Sequence, residues 1–398
     1  MDAVSPIAAD FNTKVRPWAG FDEFLWTGYL LAFAITSITV GLIWDISWHM
    51  SIGRDTFWTP AHMAIYLGGA MGGFVGGWLT IKYTFLLGPE REGASVSILG
   101  ARAPLGAWVA IWGAIAMITS GPFDDWWHNA YGLDVKIISP PHAVLGLGMF
   151  GISVGALLLV LSRQNQRQDT SGSGLFVYVG GVFLVLGAVF ITETTFPNHQ
   201  HGRLFYLACS MVFPMRLVAM GRAGKCSWPA TRVALVYMLI DCLMMWILPL
   251  FKAQPMLAPI YNPVTHMVPP AFPLLVVVPA IVIDLVLSKV VDRGGWLKTL
   301  GLALLLGGLF LGILMAVQWY FAKFLLSPAA DNWFFGGNRY WPYSSRPGIY
   351  RQEFWRVEKS NMNSDYLRFS GVLLCWGVAS VSAWLGLVWG DWMRKVRR

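Results

Sequence analysis

The chain has 398 residues, of which 56% are hydrophobic, 15% aromatic and only 13% charged, and it carries a formal net charge of +8. Soluble domains carry a charged fraction nearer ~25%, so water is not the main solvent of this sequence. The positive balance is not a nucleic-acid footprint, because membrane orientation accounts for where the charges fall.

Apolar runs long enough to cross ~30 Å of hydrocarbon at ~1.5 Å per residue recur along the sequence. They predict an all-α, polytopic bundle of about ten transmembrane helices at 23–44, 61–87, 104–121, 142–161, 174–192, 204–221, 231–250, 271–288, 300–325 and 369–392. Met1–Gly20 is polar and the run after it is of full spanning length, a pattern unlike a cleavable signal peptide. With both termini cytoplasmic, eighteen Lys and Arg residues fall on inner segments. Only Arg54, Lys136, Arg203 and Lys252 fall in the four short outer loops, as the positive-inside rule expects. The organisation is then a cytoplasmic segment 1–22, a four-helix region 23–165, further helices five to nine across 166–326, an outer loop 327–368, and a last helix with a basic tail, 369–398.

The second predicted helix carries Gly68-Gly69, Gly72-Gly73 and Gly76-Gly77, a small-residue stripe that lets neighbouring backbones approach. The outer loop 327–368 is rich in Trp, Phe and Tyr and reads either as a lid at headgroup level or as a plain aromatic belt. Cys209, Cys226, Cys242 and Cys375 have no CxxC spacing and read as buried thiols.

All seven histidines fall toward the non-cytoplasmic side, the periplasmic face of an inner membrane in this orientation, and two groups repeat. The first has Asp45 and His49 at the end of the first helix, then Asp55-Thr56, then Thr59-Pro60-Ala61-His62. The second has Asp124 and His128, then Asp134-Val135, then Ser139-Pro140-Pro141-His142. An acid and a histidine four apart share a helix face. Thr59 or Ser139 as N-cap, followed by proline, puts His62 and His142 in the first turn of the next helix, at the same membrane level. Two antiparallel hairpins thus each bring one carboxylate and two imidazoles together, a set that suits copper, zinc or iron. Intramembrane ionisable groups of this kind are costly, and their default reading is functional.

The first stretch, with its intervening Arg54-Asp55-Thr56 and Thr59-Pro60, closely resembles the copper-site signature of the copper membrane monooxygenases, the particulate methane and ammonia monooxygenases, in the membrane component that carries their intramembrane copper. That resemblance implies copper ligation by Asp45, His49 and His62. Asp124, His128 and His142 are similar in spacing to the family's second metal site, with Asp124 standing where the family has an amide residue. Family members work with two other subunits, one bearing a soluble periplasmic copper domain, so the resemblance implies such partners. It covers about 40–165, and helices five to ten have no counterpart in it.

Arg54 and Asp55 are expected just behind the ligands, the arginine offsetting carboxylate charge and the acid orienting an imidazole. Glu193, His199 and His201 in one outer loop, and His266 after Asn262-Pro263, are candidates for additional metal binding. Asp241 and Asp284 fall inside predicted spans with no spacing that selects a role. Three readings are expected to compete: a copper-dependent membrane monooxygenase subunit acting on ammonia or a hydrocarbon, a non-catalytic metal-binding membrane protein for storage, sensing or assembly, and a haem or quinol oxidoreductase component. The last ranks lowest, since paired axial histidines inside spans are missing.

Overall fold

In the computed structural model, the described residues are 23–87, 95–132, 139–167, 172–256, 259–290, 294–337, 339–345, 353–354 and 367–398. The N-terminal segment 1–22 and much of the outer loop, Tyr350 and Trp355 included, therefore lie outside them. Among the described residues the architecture is all-α apart from one antiparallel ribbon, β1 Val96–Ile98 with β2 Ala101–Ala103.

The helices in chain order are α1 Glu23–Ser51, α2 Pro60–Ile81, α3 Leu105–Tyr131, α4 Pro140–Arg167, α5 Ser173–Val189, α6 Thr192–Thr195, α7 Arg203–Ala223, α8 Pro229–Ile247, α9 Val277–Ser288, α10 Trp296–Leu325 and α11 Phe369–Met393. Eight are long and apolar enough to cross a membrane, while α5 and α9 are shorter, at 17 and 12 residues. Their large apolar side chains remain exposed on many outward faces, as in Phe74, Trp112, Leu147 and Leu304. Lipid is the solvent that tolerates such a surface, so the protein is membrane-embedded.

Glycine sets the packing that positions the outer ends of α1 to α4. A Cβ on Gly113 of α3 would stand 2.6 Å from the Ile152 amide and 2.7 Å from the Gly148 carbonyl of α4. On α2, a Cβ on Gly68 would collide with the Ala34 carbonyl of α1, and one on Gly76 would come 2.9 Å from the Ala107 carbonyl of α3. The glycine stripe is thus a packing device wedging α2 between two neighbours.

The eighth predicted span differs most from expectation. Instead of a helix from 271, the chain is non-helical through 267–275, because Pro269, Pro270 and Pro273 lack amide hydrogens and cannot join an α-helical ladder. Helix α9 begins only at Val277. Irregular backbone at membrane depth must be satisfied by protein, and much of it is here. The Val268 carbonyl accepts from Ser47 Oγ at 2.5 Å, and the Val268 amide donates to Ser51 Oγ at 2.7 Å. The Leu274 amide donates to the Tyr237 hydroxyl at 3.1 Å, and the Leu275 amide to the Gln318 side chain at 3.0 Å. Gln318 in turn donates to Gln200 at 2.7 Å. Asp284 of α9 reaches across to accept from the Ala230 and Thr231 amides and the Thr231 hydroxyl, closing the open first turn of α8. A structural capping role accounts for this intramembrane acid.

The described part of the outer loop folds back onto the helix ends. Trp333 stacks on Trp246, whose indole donates to the Phe334 carbonyl at 2.9 Å. The Tyr343 amide reaches the Met50 carbonyl at the end of α1.

Candidate metal centre

Helix α1 continues to Ser51, so Asp45 and His49 are both helical and share one face. The chain then reverses. The Ile52 and Gly53 amides both donate to the Trp48 carbonyl, and Gly53 takes a left-handed φ of 80°, which favours glycine. The Trp48 indole donates to the Arg54 carbonyl at 2.8 Å, and the Thr56 amide to Thr59 Oγ1 at 2.8 Å. The Thr59 hydroxyl, expected to cap α2, therefore braces the loop instead, and no side-chain cap closes α2. Pro60 still opens the helix, which places His62 in its first turn.

Four donor groups meet at this point. His62 Nε2 lies 3.0 Å from Asp45 Oδ1 and 3.5 Å from Asp55 Oδ2. His49 Nε2 lies 3.5 Å from Asp55 Oδ2 and 3.8 Å from Asp45 Oδ2. Ligand atoms held about 2.1 Å from one ion stand roughly 3.0–3.4 Å apart, for right-angle and tetrahedral arrangements respectively; the 3.0 and 3.5 Å separations lie at or near that range and the 3.8 Å one beyond it. Among the described residues, the one set of three or more His, Cys, Asp or Glu groups with all ligand atoms within 4.8 Å is Asp45, His49 and Asp55. Asp55, expected behind the candidate ligands, instead stands among the clustered donor groups. Arg54, expected as a buried counter-charge, is exposed.

The hydrogen bonding of His62 determines what the cluster can do. Its Nδ1 is 2.9 Å from the Thr56 carbonyl, an acceptor, so Nδ1 carries the proton. In the neutral ring Nε2 then presents a lone pair to Asp45, another acceptor. Asp45 Oδ1 is sealed from solvent and, among the described residues, receives no hydrogen bond. Converging acceptors of this kind are stable only with a cation among them, either a proton on the ring or a metal ion.

The second repeat shares the helix–proline layout but differs in its contacts. Helix α3 runs through Pro122 to Tyr131, ten residues beyond the predicted end of the span, so Asp124 is helical. Pro140 opens α4, and the His142 amide approaches Ser139 Oγ at 3.4 Å. The same hydroxyl lies 3.0 Å from His142 Nδ1, while His142 Nε2 faces Asp124 Oδ1 at 3.8 Å. The side chain of His128 and the whole of Asp134 lie outside the described residues. Between the two groups stands a residue that the spacing argument missed, Tyr66, one turn beyond His62. It feels the charges of Asp124, Asp45 and Asp55 together, and its ring centroid is 6.1 Å from that of His62. An aromatic four positions after a first-turn histidine is the signal that sequence offered.

The remaining candidates are not drawn together. His201 is sandwiched between Trp319 and Phe354, with centroids 3.7 and 3.5 Å away, and its Nε2 lies 2.9 Å from the Trp319 carbonyl. Burial among these rings, with a smaller contribution from Lys323, holds its pKa below the ordinary imidazole value. Glu193 is exposed on α6, and Glu193, His199 and His201 make no three-donor cluster among the described residues. His266 does not open a helix. It is exposed on an extended stretch bridged to Lys252, with its Nδ1 2.9 Å from the Thr265 hydroxyl. Comparison with known proteins finds no matching family model, no similar curated protein and no similar solved structure.

Proposed function

We propose that the chain is the copper-binding membrane subunit of a monooxygenase-like enzyme, which oxidises a small substrate of the ammonia or hydrocarbon class with dioxygen. The observation that carries this reading is the convergence of His62 Nε2 and two carboxylates, with His62 Nδ1 already committed to the Thr56 carbonyl. Asp45, His49, Asp55 and His62 would hold the ion, and Asp124, His128 and His142 a second one. Imidazole with carboxylate and open positions suits copper, although iron and zinc share these ligands. Copper supplies one-electron redox chemistry and free coordination positions for dioxygen. Thr56 orients His62, the two acids offset the charge of the ion, and the Tyr66 ring packs one turn along α2 from His62. The apolar surround excludes water, and a small apolar substrate arrives through the bilayer.

The proposed setting is an inner membrane, with about ten spans, both termini cytoplasmic and the metal near the periplasmic face. Lipid surrounds the helices, and other monooxygenase-type subunits, including a periplasmic copper subunit, complete the enzyme. The decisive experiment counts copper, iron and zinc per chain in protein purified into nanodiscs, alongside His62→Ala and His142→Ala. Copper at one or two ions per chain, reduced in each variant, is expected. Negligible copper in all three ends the proposal. Oxygen uptake with ammonia or short alkanes and a quinol reductant then separates oxidation from mere metal holding.

A further inference from the structure

At the end of the bundle opposite the candidate metal centre, two large apolar residues hold a backbone conformation that favours glycine. Among the described residues, Leu99 at φ 52° and Trp228 at φ 54° are the non-glycine positions with positive φ. Leu99 and Gly100, the latter at φ 84°, form the two-residue turn between β1 and β2, where Ile98 pairs with Ala101. Positive φ at both positions is the pattern of a type I′ turn, which prefers Asn-Gly. The Cβ of leucine is disfavoured there, and the Leu99 side chain is 98% exposed. Trp228 stands before Pro229 at the start of α8 and is likewise exposed.

In an aqueous loop the strained backbone and the bare apolar side chain are both costs, and glycine or asparagine would relieve them. Lipid removes the second cost and makes burial of the side chain favourable. The neighbouring helices run into the same surface. On α2 the exposed residues Phe74, Trp78 and Ile81 follow one helical stripe, which continues to Phe85 in the π-helical turn Lys82–Leu86, against which β2 packs. On α8 the exposed Leu239 and Leu235 lead by the same spacings to Arg232 and Trp228. The hairpin is fixed in place. The Arg102 amide donates to Thr84 Oγ1 at 2.9 Å, that hydroxyl to the Arg102 carbonyl at 3.2 Å, and the Trp108 indole to the Val96 carbonyl at 3.0 Å. Charge at this end narrows the lipid. Lys289, Lys298, Arg394 and Lys395 are exposed there, as is Arg232. Among the described side chains, the acids of this end are Asp284, which caps α8, and Asp391, 2.8 Å from Arg222. The surface at headgroup level is therefore basic, and cations so placed attract anionic phospholipid.

We propose that Leu99 and Trp228 anchor this end of the bundle in the membrane interface, in a leaflet whose anionic phospholipids the surrounding lysines and arginines engage. The two apolar tips set the depth at which the helices sit, and the cations hold headgroup phosphate around them. Helix α2 begins at the candidate metal centre and ends at this hairpin, so the anchor does not depend on the metal assignment.

The test is spin-label EPR on the nanodisc-embedded chain, with a nitroxide on Leu99→Cys and, separately, on Trp228→Cys. Both carry Cys226→Ser, because Cys226 is only half-buried. Leu147→Cys, on an exposed face of α4, and Arg398→Cys, in the exposed tail, give the lipid and water references. At both test positions, accessibility to oxygen well above that to a water-soluble nickel chelate is expected, close to the Leu147 reference. A nickel response matching Arg398 at either position would overturn the proposal. Low response to both quenchers would do so too, because it would put protein rather than lipid over the tip. For the headgroups, spin-labelled phosphatidylglycerol is expected to associate with the chain several-fold more than spin-labelled phosphatidylcholine at low salt. The excess should fall toward parity in about 1 M salt, where the screening length drops to ~3 Å. Equal association of the two lipids at low salt would refute the anionic partner.

Discussion

His62 Nε2 approaches Asp45 Oδ1 to 3.0 Å while its own Nδ1 is held 2.9 Å from the Thr56 carbonyl, so one imidazole ties the start of α2 to both the loop and the end of α1. Loss of Thr56 orientation alone should therefore be visible. The loop can be tested without touching a ligand. Thr59→Val removes the acceptor of the Thr56 amide and is expected to cut metal affinity about tenfold, within the ~10–100-fold range for groups that orient ligands. Chelator competition on the nanodisc protein reads this, and affinity equal to the parent would refute the bracing role.

Asp55 and Arg54 are adjacent but do different things. Asp55 Oδ2 is 3.5 Å from both His49 Nε2 and His62 Nε2, whereas Arg54 is exposed. Asp55→Ala is expected to lower metal occupancy at limiting metal, and Arg54→Ala to leave it within error. Elemental analysis of the two proteins side by side decides, and equal losses would return Asp55 to an indirect role.

Much of this site is legible in the sequence, for reasons that can be named. Asp45 and His49 are four apart on a helix that persists, and the Thr-Pro pair marks where α2 begins, so helical geometry brings Asp45 to both His49 and His62. Asp55 is not legible as a member of the donor cluster, because its position depends on the left-handed turn at Gly53 and on the Thr56–Thr59 bond, which no periodicity encodes. The late start of α9 has a visible signal in Pro269, Pro270 and Pro273, masked by the apolarity of the run.

His201 gives a pH dependence whose sign follows from its surroundings. Burial between Trp319 and Phe354 lowers its folded pKa below the unfolded ~6.5. The unfolded chain thus binds a proton that the folded chain refuses. Stability from the neutral ring is fully present above about pH 6.5 and declines as pH falls from there toward the folded pKa. Thermal unfolding of metal-free protein in detergent, at pH 7.5 and 5.5, should show this decline. In His201→Gln the difference between the two pH values should shrink, and an undiminished difference would assign the acid sensitivity elsewhere.

Asp284 holds the first turn of α8, and its removal should be expensive for one specific reason. Asp284→Ala leaves the Ala230 and Thr231 amides without their acceptor, at a cost of about 1–3 kcal/mol for each buried group left unsatisfied. Asp284→Asn keeps one acceptor oxygen and should recover part of that loss. Denaturant unfolding of the three proteins checks the order, and equal stability of Asp284→Ala with the parent would exclude the capping role.

Gly68 and Gly77 separate helix packing from glycine content. Both lie on the stripe of α2, but a Cβ at Gly68 would meet the Ala34 carbonyl of α1, while nothing lies within 4 Å of a Cβ at Gly77. Alanine at 68 forces α1 and α2 apart below the proposed metal centre, and overpacking of this kind costs about 1–3 kcal/mol. Because Asp45 and His49 sit on one helix and His62 on the other, that separation should also weaken metal retention. Alanine at 77 has no such effect and removes the conformational liability of glycine within a helix, worth up to ~1 kcal/mol. The expected pattern is lower melting temperature and lower chelator resistance for Gly68→Ala, with Gly77→Ala equal to or above the parent in both. A Gly68→Ala protein that loses stability yet keeps its metal would mean that the four donors are held by the loop between the helices rather than by the helix pair itself.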